Sequence, residues 1–207
     1  MIAIMTSIWT GHKVRVRGIE PEDWQAFQHF DEHSAAMRNA DMIHPPRSAA
    51  GYREWAATQA TQQTAGDEFL LAIEARADQT LVGSLSTNNV DQRAGRFSYG
   101  ISIGHDHQRH GYATDAIPLL LTYMFGERRF HKCEVDIYAF NEASIALHRK
   151  IGFQTEGRLR DHEYFAGRHH DLVVMGLTID EFAARHPLAE PHQHTQPTTH
   201  PDEPTSS

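Results

Sequence analysis

Six consecutive residues, from Gln108 to Ala113, form the stretch with the clearest capacity for chemistry. Arg109 and His110 can carry positive charge, and Gly111 stands just before an apolar run at helical spacing. A turn that enters a helix presents unpaired backbone N–H groups at one point, and the helix dipole adds positive potential there. Gly111 would let the backbone approach an oxygen without an intervening Cβ, and Ala113 keeps the next turn small. The stretch favours a phosphate-binding cradle, with an ordinary strand-to-helix turn as the equal alternative.

The elements around the cradle are a predicted strand and a predicted helix. Residues 96–103 are rich in β-branched and aromatic side chains and end at Gly104, as a strand running into a turn does. Beyond the cradle, apolar residues recur at helical spacing: Ala113, Ala116, Ile117, Leu120, Leu121, Met124 and Phe125. Pro118 falls inside this helix and predicts a kink, because it removes one backbone hydrogen bond.

The same six residues resemble the pyrophosphate-binding motif of the GCN5-related N-acetyltransferase (GNAT) family, Gln/Arg-x-x-Gly-x-Gly/Ala. The order of the elements that follow is similar as well: a strand at 132–140, a helical run at 141–151 and a closing Gly-Phe-x-x-Glu-Gly at 152–157. The likeness extends from about Lys13 to Phe182. It is strongest toward the branch that contains ribosomal-protein N-acetyltransferases and spermidine acetyltransferases.

The resemblance implies an α/β (α+β) fold for residues 13–185. The expected architecture is a mixed, mostly antiparallel central sheet of about seven strands, whose middle strands splay apart, flanked by about four helices. Residues 1–12 are then an N-terminal extension. Residues 186–207, rich in His, Pro and Thr, are expected to be a disordered tail, which we favour over a metal site.

Alternating or β-rich runs predict the other strands. They lie at 14–16, 68–74 and 81–89, and two closing strands are expected near 152–158 and 171–178. Residues 76–79 are expected to form a hairpin turn. Gly83 is expected to mark a bulge or a close approach of two backbones.

The resemblance also implies that acetyl-CoA is the donor and which residues bind it. The expected cofactor-binding residues are Ile101, Ser102, Ile103, Gln108, Arg109, His110, Gly111, Tyr112, Ala113, Asn141 and Ser144. The first three would supply strand backbone to the pantetheine arm, and the donated N–H groups would suit an oxyanion. Asn141 is also a helix N-cap, and both roles can hold because its amide has one acceptor and two donors. Ser144 could reach the cofactor or cap the same helix.

The resemblance indicates a candidate for the general acid but no single candidate for the general base. His148 stands where many relatives carry a tyrosine that protonates the leaving thiolate, and histidine can donate a proton near neutral pH. A packing or solvent-facing histidine is the alternative. Ser98 occupies the strand position where many relatives carry a glutamate base. Its replacement is Tyr99, Glu68, Glu163 or a water chain, and the sequence does not choose among them.

Composition limits the partners. The chain has 19 Lys+Arg and 27 Asp+Glu, a net charge of -8, which argues against a general nucleic-acid binder. The single cysteine, Cys133, is expected to be buried and inert. The N-terminus lacks a basic leader and no apolar run is long enough to span a bilayer, so we expect a cytoplasmic protein without a membrane partner. Dimers are common in the resembled branch, and a homodimer is expected.

The acceptor is predicted to be a primary amine, which attacks the acetyl group directly. A helix opened by residues 20–23, a second helix at 48–63 and the Pro45-Pro46 loop between them are implied to form much of its pocket. A small polyamine, an amino metabolite and a protein N-terminus all stay open. The acidic residues of this region favour a polyamine, although a solvated acidic face explains them as well: Asp31, Glu32 and Asp41. A non-catalytic acyl-CoA-binding regulatory protein is the alternative function.

Overall fold

The computed structural model describes residues 7–40, 42–62 and 66–188. The strands are β1 Val14–Arg17, β2 Leu70–Ala75, β3 Leu81–Asp91, β4 Arg96–Ile103, β5 Lys132–Tyr138, β6 Gln154–Phe165 and β7 Arg168–Thr178. The helices are α1 Trp24–Phe30, α2 Ser34–Ala40, α3 Ala49–Thr61, α4 Tyr112–Thr122, α5 Glu142–Ile151 and α6 Ile179–Ala183. Short 3-10 turns at Pro21–Asp23 and His105–His107 lead into α1 and the cradle, and a π turn at Tyr123–Glu127 follows α4.

The strands form one mixed sheet in the order β1-β2-β3-β4-β5-β7-β6. Every neighbouring pair is antiparallel except β4 and β5, which are parallel and pair only at Arg96 with Lys132 and Phe97 with Cys133. Beyond Phe97 these two strands separate, so one edge of β4 faces a gap in the middle of the sheet. The predicted mixed sheet with splayed middle strands is confirmed.

Gly83 lies at a close approach of β3 to β4. A Cβ at this position would collide with the backbone oxygen of Ser102. The pairing of β2 with β3 also shifts between Ile73 and Glu74, opposite this glycine. Both expected features, a bulge and a close approach, are therefore present, and they set the path of the strand that ends at the cradle.

One face of the sheet is covered by α4, α5 and α6. The inward side of α4 is fully buried through Ala116, Ile117, Leu120 and Leu121. The helix continues across Pro118, as expected, because the apolar face outweighs the loss of one hydrogen bond. Burial of this stripe holds the N-terminus of α4 against the end of β4.

The opposite face is covered by α1 and α3. Ser48 caps α3 by accepting a hydrogen bond from the Gly51 N–H, and Trp55 packs edge-on against Phe27 with 4.8 Å between ring centroids. Two short helices, α2 and α6, add to the four expected. The residues of α2 were not recognised as helical because the stretch carries no apolar periodicity.

The fold reaches further along the chain than residues 13–185. The Trp9 ring lies 4.8 Å from that of Tyr123, and Leu188 packs against the main core. His186, expected to open the disordered tail, stacks on Phe182 at 4.7 Å. The predictions for residues 1–6, for Asp41, for the end of the second helix at residue 63 and for the tail from residue 189, which includes His192, His194 and His200, lie outside the described residues.

Candidate active site

The cradle is a short loop, residues 108–111, between a 3-10 turn and α4. Arg109 and Gly111 both adopt the left-handed region, with φ of 66° and 82°, and Gly111 is the N-cap of α4. The Gln108 side-chain amide donates to the backbone oxygen of Ile103 at 3.2 Å. The loop is thereby tied to the last residue of β4, and the first N–H groups of α4 are directed to one place.

The structure gives a backbone reason for glycine at position 111, beside the one expected. A Cβ here would lie 3.2 Å from the Lys13 ammonium nitrogen, and Lys13 does not line the groove beside the loop. The expectation that the missing Cβ leaves room for an oxygen stays a prediction. The glycine is needed because L side chains rarely adopt a φ of 82°.

Lys13 supports the cradle by a hydrogen bond to its backbone. Its ammonium donates to the His110 backbone oxygen at 2.6 Å. The Asp115 carboxylate, in the first turn of α4, accepts from the backbone N–H groups of Lys13 and Val14 at 2.7 and 3.0 Å. These contacts fasten the start of β1 to the loop and place a positive charge behind it.

A groove of about 390 Å³ runs from the cradle to α5. Ten of the eleven predicted cofactor-binding residues line it: Ile101, Ser102, Ile103, Gln108, Arg109, Gly111, Tyr112, Ala113, Asn141 and Ser144. The exception is His110, whose ring stacks on Tyr112 and whose Nδ1 lies 3.2 Å from the His107 oxygen. His110 therefore holds the loop instead of facing the groove.

Asn141 joins the two sides of the groove. Its Oδ1 accepts from the Ser144 N–H at 3.1 Å, so it is the N-cap of α5 as predicted. Its Nδ2 donates to the backbone oxygen of Asn39, at the end of α2, also at 3.1 Å. One side chain thus starts α5 and holds α2 across the mouth of the groove.

His148 is buried, with 3% of its surface exposed. Its Nδ1 lies 2.7 Å from the backbone oxygen of Ser144, and a carbonyl can only accept, so Nδ1 carries the hydrogen. The ring stacks on Tyr99 at 5.8 Å and meets Phe153 edge-on at 5.2 Å. Burial lowers the pKa of His148 from its ordinary value, so the neutral ring with a lone pair on Nε2 is favoured.

A second cavity of about 490 Å³, here called the acceptor cavity, opens in the gap between β4 and β5. His148 lies in its wall, together with residues of α2, β5 and β6. It shares three residues with the groove: Asn39, Ile101 and Ser144. The two spaces therefore meet where β4 separates from β5.

Besides His148, three charged side chains line the acceptor cavity. Asp136 comes from β5, Glu163 from β6 and Arg38 from α2. Partial burial raises the pKa of Asp136, and the nearby Glu163 adds to this effect. The Glu163 carboxylate oxygen Oε1 lies 3.1 Å from Nδ1 of His162. Among the named base candidates, Glu163 is in the cavity wall.

The other base candidates fit less well. Burial raises the pKa of the Tyr99 hydroxyl well above 10, so this group stays protonated although it lines the cavity. Glu68 accepts from the Val90 N–H at 3.3 Å and lies in neither wall. Ser98 also lies outside both walls.

The expected acceptor helices contribute little to the cavity wall. No residue of α1 or α3 lines the acceptor cavity. The segment between these two helices contributes Arg38 and Asn39 of α2 and Met42. Asp31 accepts from the Tyr52 hydroxyl at 2.6 Å, and Glu32 is 3.1 Å from the His29 ring. Both carboxylates are therefore engaged away from the cavity. The expectation that these two helices and their loop form much of the acceptor pocket stays a prediction, and Met42 of that loop does line this cavity.

Sequence reasoning missed three residues of the site. They are Arg38, Asn39 and Asp136. Asp136 alternates with the buried Val135 and Ile137 of β5, so the strand pattern did indicate that it faces the other side. No local signal marks Arg38 or Asn39, because α2 is not visible in the hydrophobic pattern.

Comparison with known proteins places these features in a family. Residues 13–154 match the family model described as the acetyltransferase (GNAT) domain. The SPbeta prophage-derived uncharacterized N-acetyltransferase YokL of Bacillus subtilis is 35% identical over 179 residues, 86% of this chain and 97% of that protein. The spermidine N(1)-acetyltransferase of Escherichia coli K12 is 27% identical, over 86% of this chain and 92% of its own length.

Solved structures agree in fold. A crystal structure of a probable acetyltransferase superposes with a TM-score of 0.73 and 28% identity, covering 82% of this chain and 95% of the other. Spermidine N-acetyltransferase from Vibrio cholerae, in complex with CoA and spermine, superposes with a TM-score of 0.70 and 19% identity over 82% of this chain and 97% of its own.

The chain belongs to the GNAT acetyltransferase family. It is an N-acetyltransferase that uses acetyl-CoA as donor and an amine as acceptor. The groove fits the anionic pyrophosphate of CoA, because the N-terminus of the 11-residue helix α4 and a left-handed glycine direct N–H groups into it. Burial raises the pKa of the Cys133 thiol, as expected of an inert core residue. No helix in the described part of the chain is long and apolar enough to cross a bilayer.

Proposed function

We propose that the protein acetylates a small amine held in the acceptor cavity, with acetyl-CoA held in the adjoining groove. The observation that carries this proposal is the junction of the two spaces at Asn39, Ile101 and Ser144. An acceptor nitrogen in the cavity and an acetyl group at the end of the groove can meet there without passing through bulk water.

The groove residues would hold the donor in three places. The N–H groups from Gly111 to Ala113 face the pyrophosphate, and the Lys13 ammonium behind the loop adds attraction at short range. The free edge of β4 at residues 101–103 pairs with the amides of the pantetheine arm. Bound acetyl-CoA supplies an activated thioester, whose carbonyl carbon bonds to the amine as its sulfur leaves and takes up a proton.

The amine must lose a proton before it can react, since alkylammonium groups resemble lysine with a pKa of about 10.4. We assign binding of the ammonium to Asp136 and Glu163, the two carboxylates of the cavity wall. The raised pKa of Asp136 makes this group able to accept a proton as well as to attract a cation.

His148 is assigned to the transfer of that proton. Because Nδ1 is held by Ser144, Nε2 is the nitrogen that can take the proton released by the amine. The imidazolium formed is disfavoured by burial and readily gives the proton up on the product side. The predicted role as an acid thus becomes the second half of a relay that begins with His148 as a base.

The test uses one sample of the full-length protein. Acetyl-CoA is titrated by calorimetry, and free-thiol release is then followed with polyamines, amino acids and short peptides. The proposal predicts binding and thiol release that depends on the amine. Binding without release for any amine would favour the regulatory alternative.

Location and assembly belong to this proposal too. We propose a cytoplasmic enzyme that acts as a homodimer. The exposed Tyr164 and Leu159 on β6, the edge strand of the sheet, support a contact between two copies. Light scattering at micromolar concentration tests this, and a monomer mass would contradict it.

A further inference from the structure

Arg38 is a positively charged residue in the wall of the acceptor cavity, where it can contact a ligand. It lies in α2, is half-buried and lines the acceptor cavity. Its guanidinium carbon is 4.5 Å from the centre of the Phe165 ring. Within the described residues it forms no ion pair with a carboxylate. Stacking on the ring fixes the plane of the guanidinium and leaves its N–H edge free to donate.

The carboxylates of the same cavity are not used to neutralise it. Glu163 contacts His162 at 3.1 Å, and Asp136 forms no ion pair within the described part of the chain. The cavity wall therefore contains one cation and two carboxylates, and within the described residues the cation forms no ion pair with either carboxylate. A ligand that carries both a carboxylate and an ammonium group can pair with both kinds of charge.

We propose that the acceptor is a small amine that also bears a carboxylate, of the free amino acid class. Arg38 binds the carboxylate, and Asp136 with Glu163 binds the ammonium group. The inference rests on the proposed function and names its substrate class. A guanidinium recognises a carboxylate through two parallel N–H···O bonds, which fixes its orientation as well as its position.

The alternatives match the charges less well. A polyamine offers only positive groups, so Arg38 would repel it. A peptide N-terminus offers an amide carbonyl in place of the carboxylate, which is a neutral and weaker acceptor for Arg38. The acidic composition of the chain favours a polyamine, whereas Arg38 in the cavity wall favours an acceptor that also bears a carboxylate.

The test compares free amino acids with their carboxamides and with two acceptors of other classes. Thiol release is measured with L-amino acids, with their carboxamides, with a dipeptide and with spermidine. We expect kcat/KM to be about 10-fold or more higher for the best amino acid than for its carboxamide, the value of one charge-assisted hydrogen bond.

Two arginine variants separate binding from folding. Arg38→Gln should bring the ratio of the amino acid rate to the carboxamide rate close to 1, since the carboxylate contact is lost. The matched control is Arg53→Gln, because Arg53 also stacks on a ring, that of Trp24 at 4.3 Å, but outside the cavity. This control should keep the preference.

Outcomes against the inference are distinct from outcomes against the enzyme. Faster transfer to spermidine or to the carboxamide, or an equal loss for all acceptors in Arg38→Gln, would overturn the amino acid class while confirming the transferase. No release with any amine would overturn the proposed function. Calorimetry with CoA-loaded protein then still decides the inference, because an amino acid must bind about 10-fold more tightly than its carboxamide, and equal affinities would refute it.

Discussion

The cofactor groove and the acceptor cavity share three wall residues, yet they are built differently. The groove takes most of its wall from two short stretches, residues 101–114 and 141–147. The cavity takes its wall from residues between Arg38 and Leu172, which only the folded sheet brings together. Local backbone geometry defines the first, whereas long-range pairing defines the second. A motif can therefore reveal how this enzyme holds its donor without revealing what it acetylates.

The largest expected effect is that of a substitution in the acceptor cavity, and it tests the difference between the cavity and the groove. His148→Gln should lower kcat by about 100-fold or more, because the proton relay is lost, while the Kd for acetyl-CoA changes little. Thiol-release kinetics and calorimetry measure the two quantities. His186→Gln is the control, since His186 stacks on Phe182 outside both spaces. Normal kcat in His148→Gln would return His148 to a packing role.

The next effect should fall on the groove alone. Gly111→Val should weaken acetyl-CoA binding by about 10-fold or more, since a β-branched residue strains the left-handed loop by about 1–3 kcal/mol. Gly167→Val is the matched control. Gly167 has φ of 78° and open space around it, and it lies in the β6–β7 hairpin, outside the groove wall.

This control should lose stability without losing acetyl-CoA affinity. If both glycine variants bound acetyl-CoA as the wild type does, the cradle would not be the pyrophosphate site. Thermal melts of the two proteins check that the strain is comparable.

The dependence of kcat on pH should show the protonation of His148, in the cavity wall, at acidic pH. Burial lowers the pKa of His148 below the ordinary value of about 6.5, and neutral Nε2 is the reactive form. We expect kcat to be level from pH 6.5 upward to neutrality and to fall as pH decreases through the lowered pKa. A rate that instead rises on acidification would contradict the role as base.

The same pKa shift has a consequence for stability. Because the unfolded chain binds this proton first, stability should decrease as pH falls below about 6.5 until the folded pKa is reached. His148→Gln should show a smaller decrease in Tm over that interval.

The smallest expected effect concerns a surface contact beside the cradle. The hydrogen bonds that the His29 ring donates to Asp106, at 2.9 Å, and to Glu32 raise the pKa of His29. This stabilisation is present at pH below the unfolded value near 6.5 and is lost as pH rises through the folded pKa. His29→Gln should therefore lower Tm slightly at pH 5.5 and not at pH 8.5. An equal change at both pH values would show that charge is not involved.

Particular elements show what the sequence can and cannot predict. Strand β4 was predicted with the bounds it has, and Asn141 was predicted as the cap of α5, because both depend on neighbours in the chain. The predicted positions of these two elements led to the prediction of the groove. Arg38 and the helix α2 were missed, because α2 carries no apolar stripe and is held by tertiary contacts such as Asn141 to Asn39.

The sequence can point to a residue without fixing its role. Gly111 was expected to leave space for an anion, and the structure adds a left-handed backbone, with φ of 82°, as a reason for glycine. His148 was expected to be an acid, and its hydrogen bond to Ser144 leads us to propose that it first acts as a base. Both roles depend on contacts made by atoms that the sequence pattern does not position.

A crystal structure of the protein with bound CoA would test most directly whether the groove and the cavity are two halves of one site. We predict the pyrophosphate on the N–H groups of Gly111 to Ala113 and the sulfur at the junction lined by Ile101 and Ser144, open toward His148. CoA bound elsewhere, or with its sulfur directed away from the acceptor cavity, would contradict that claim.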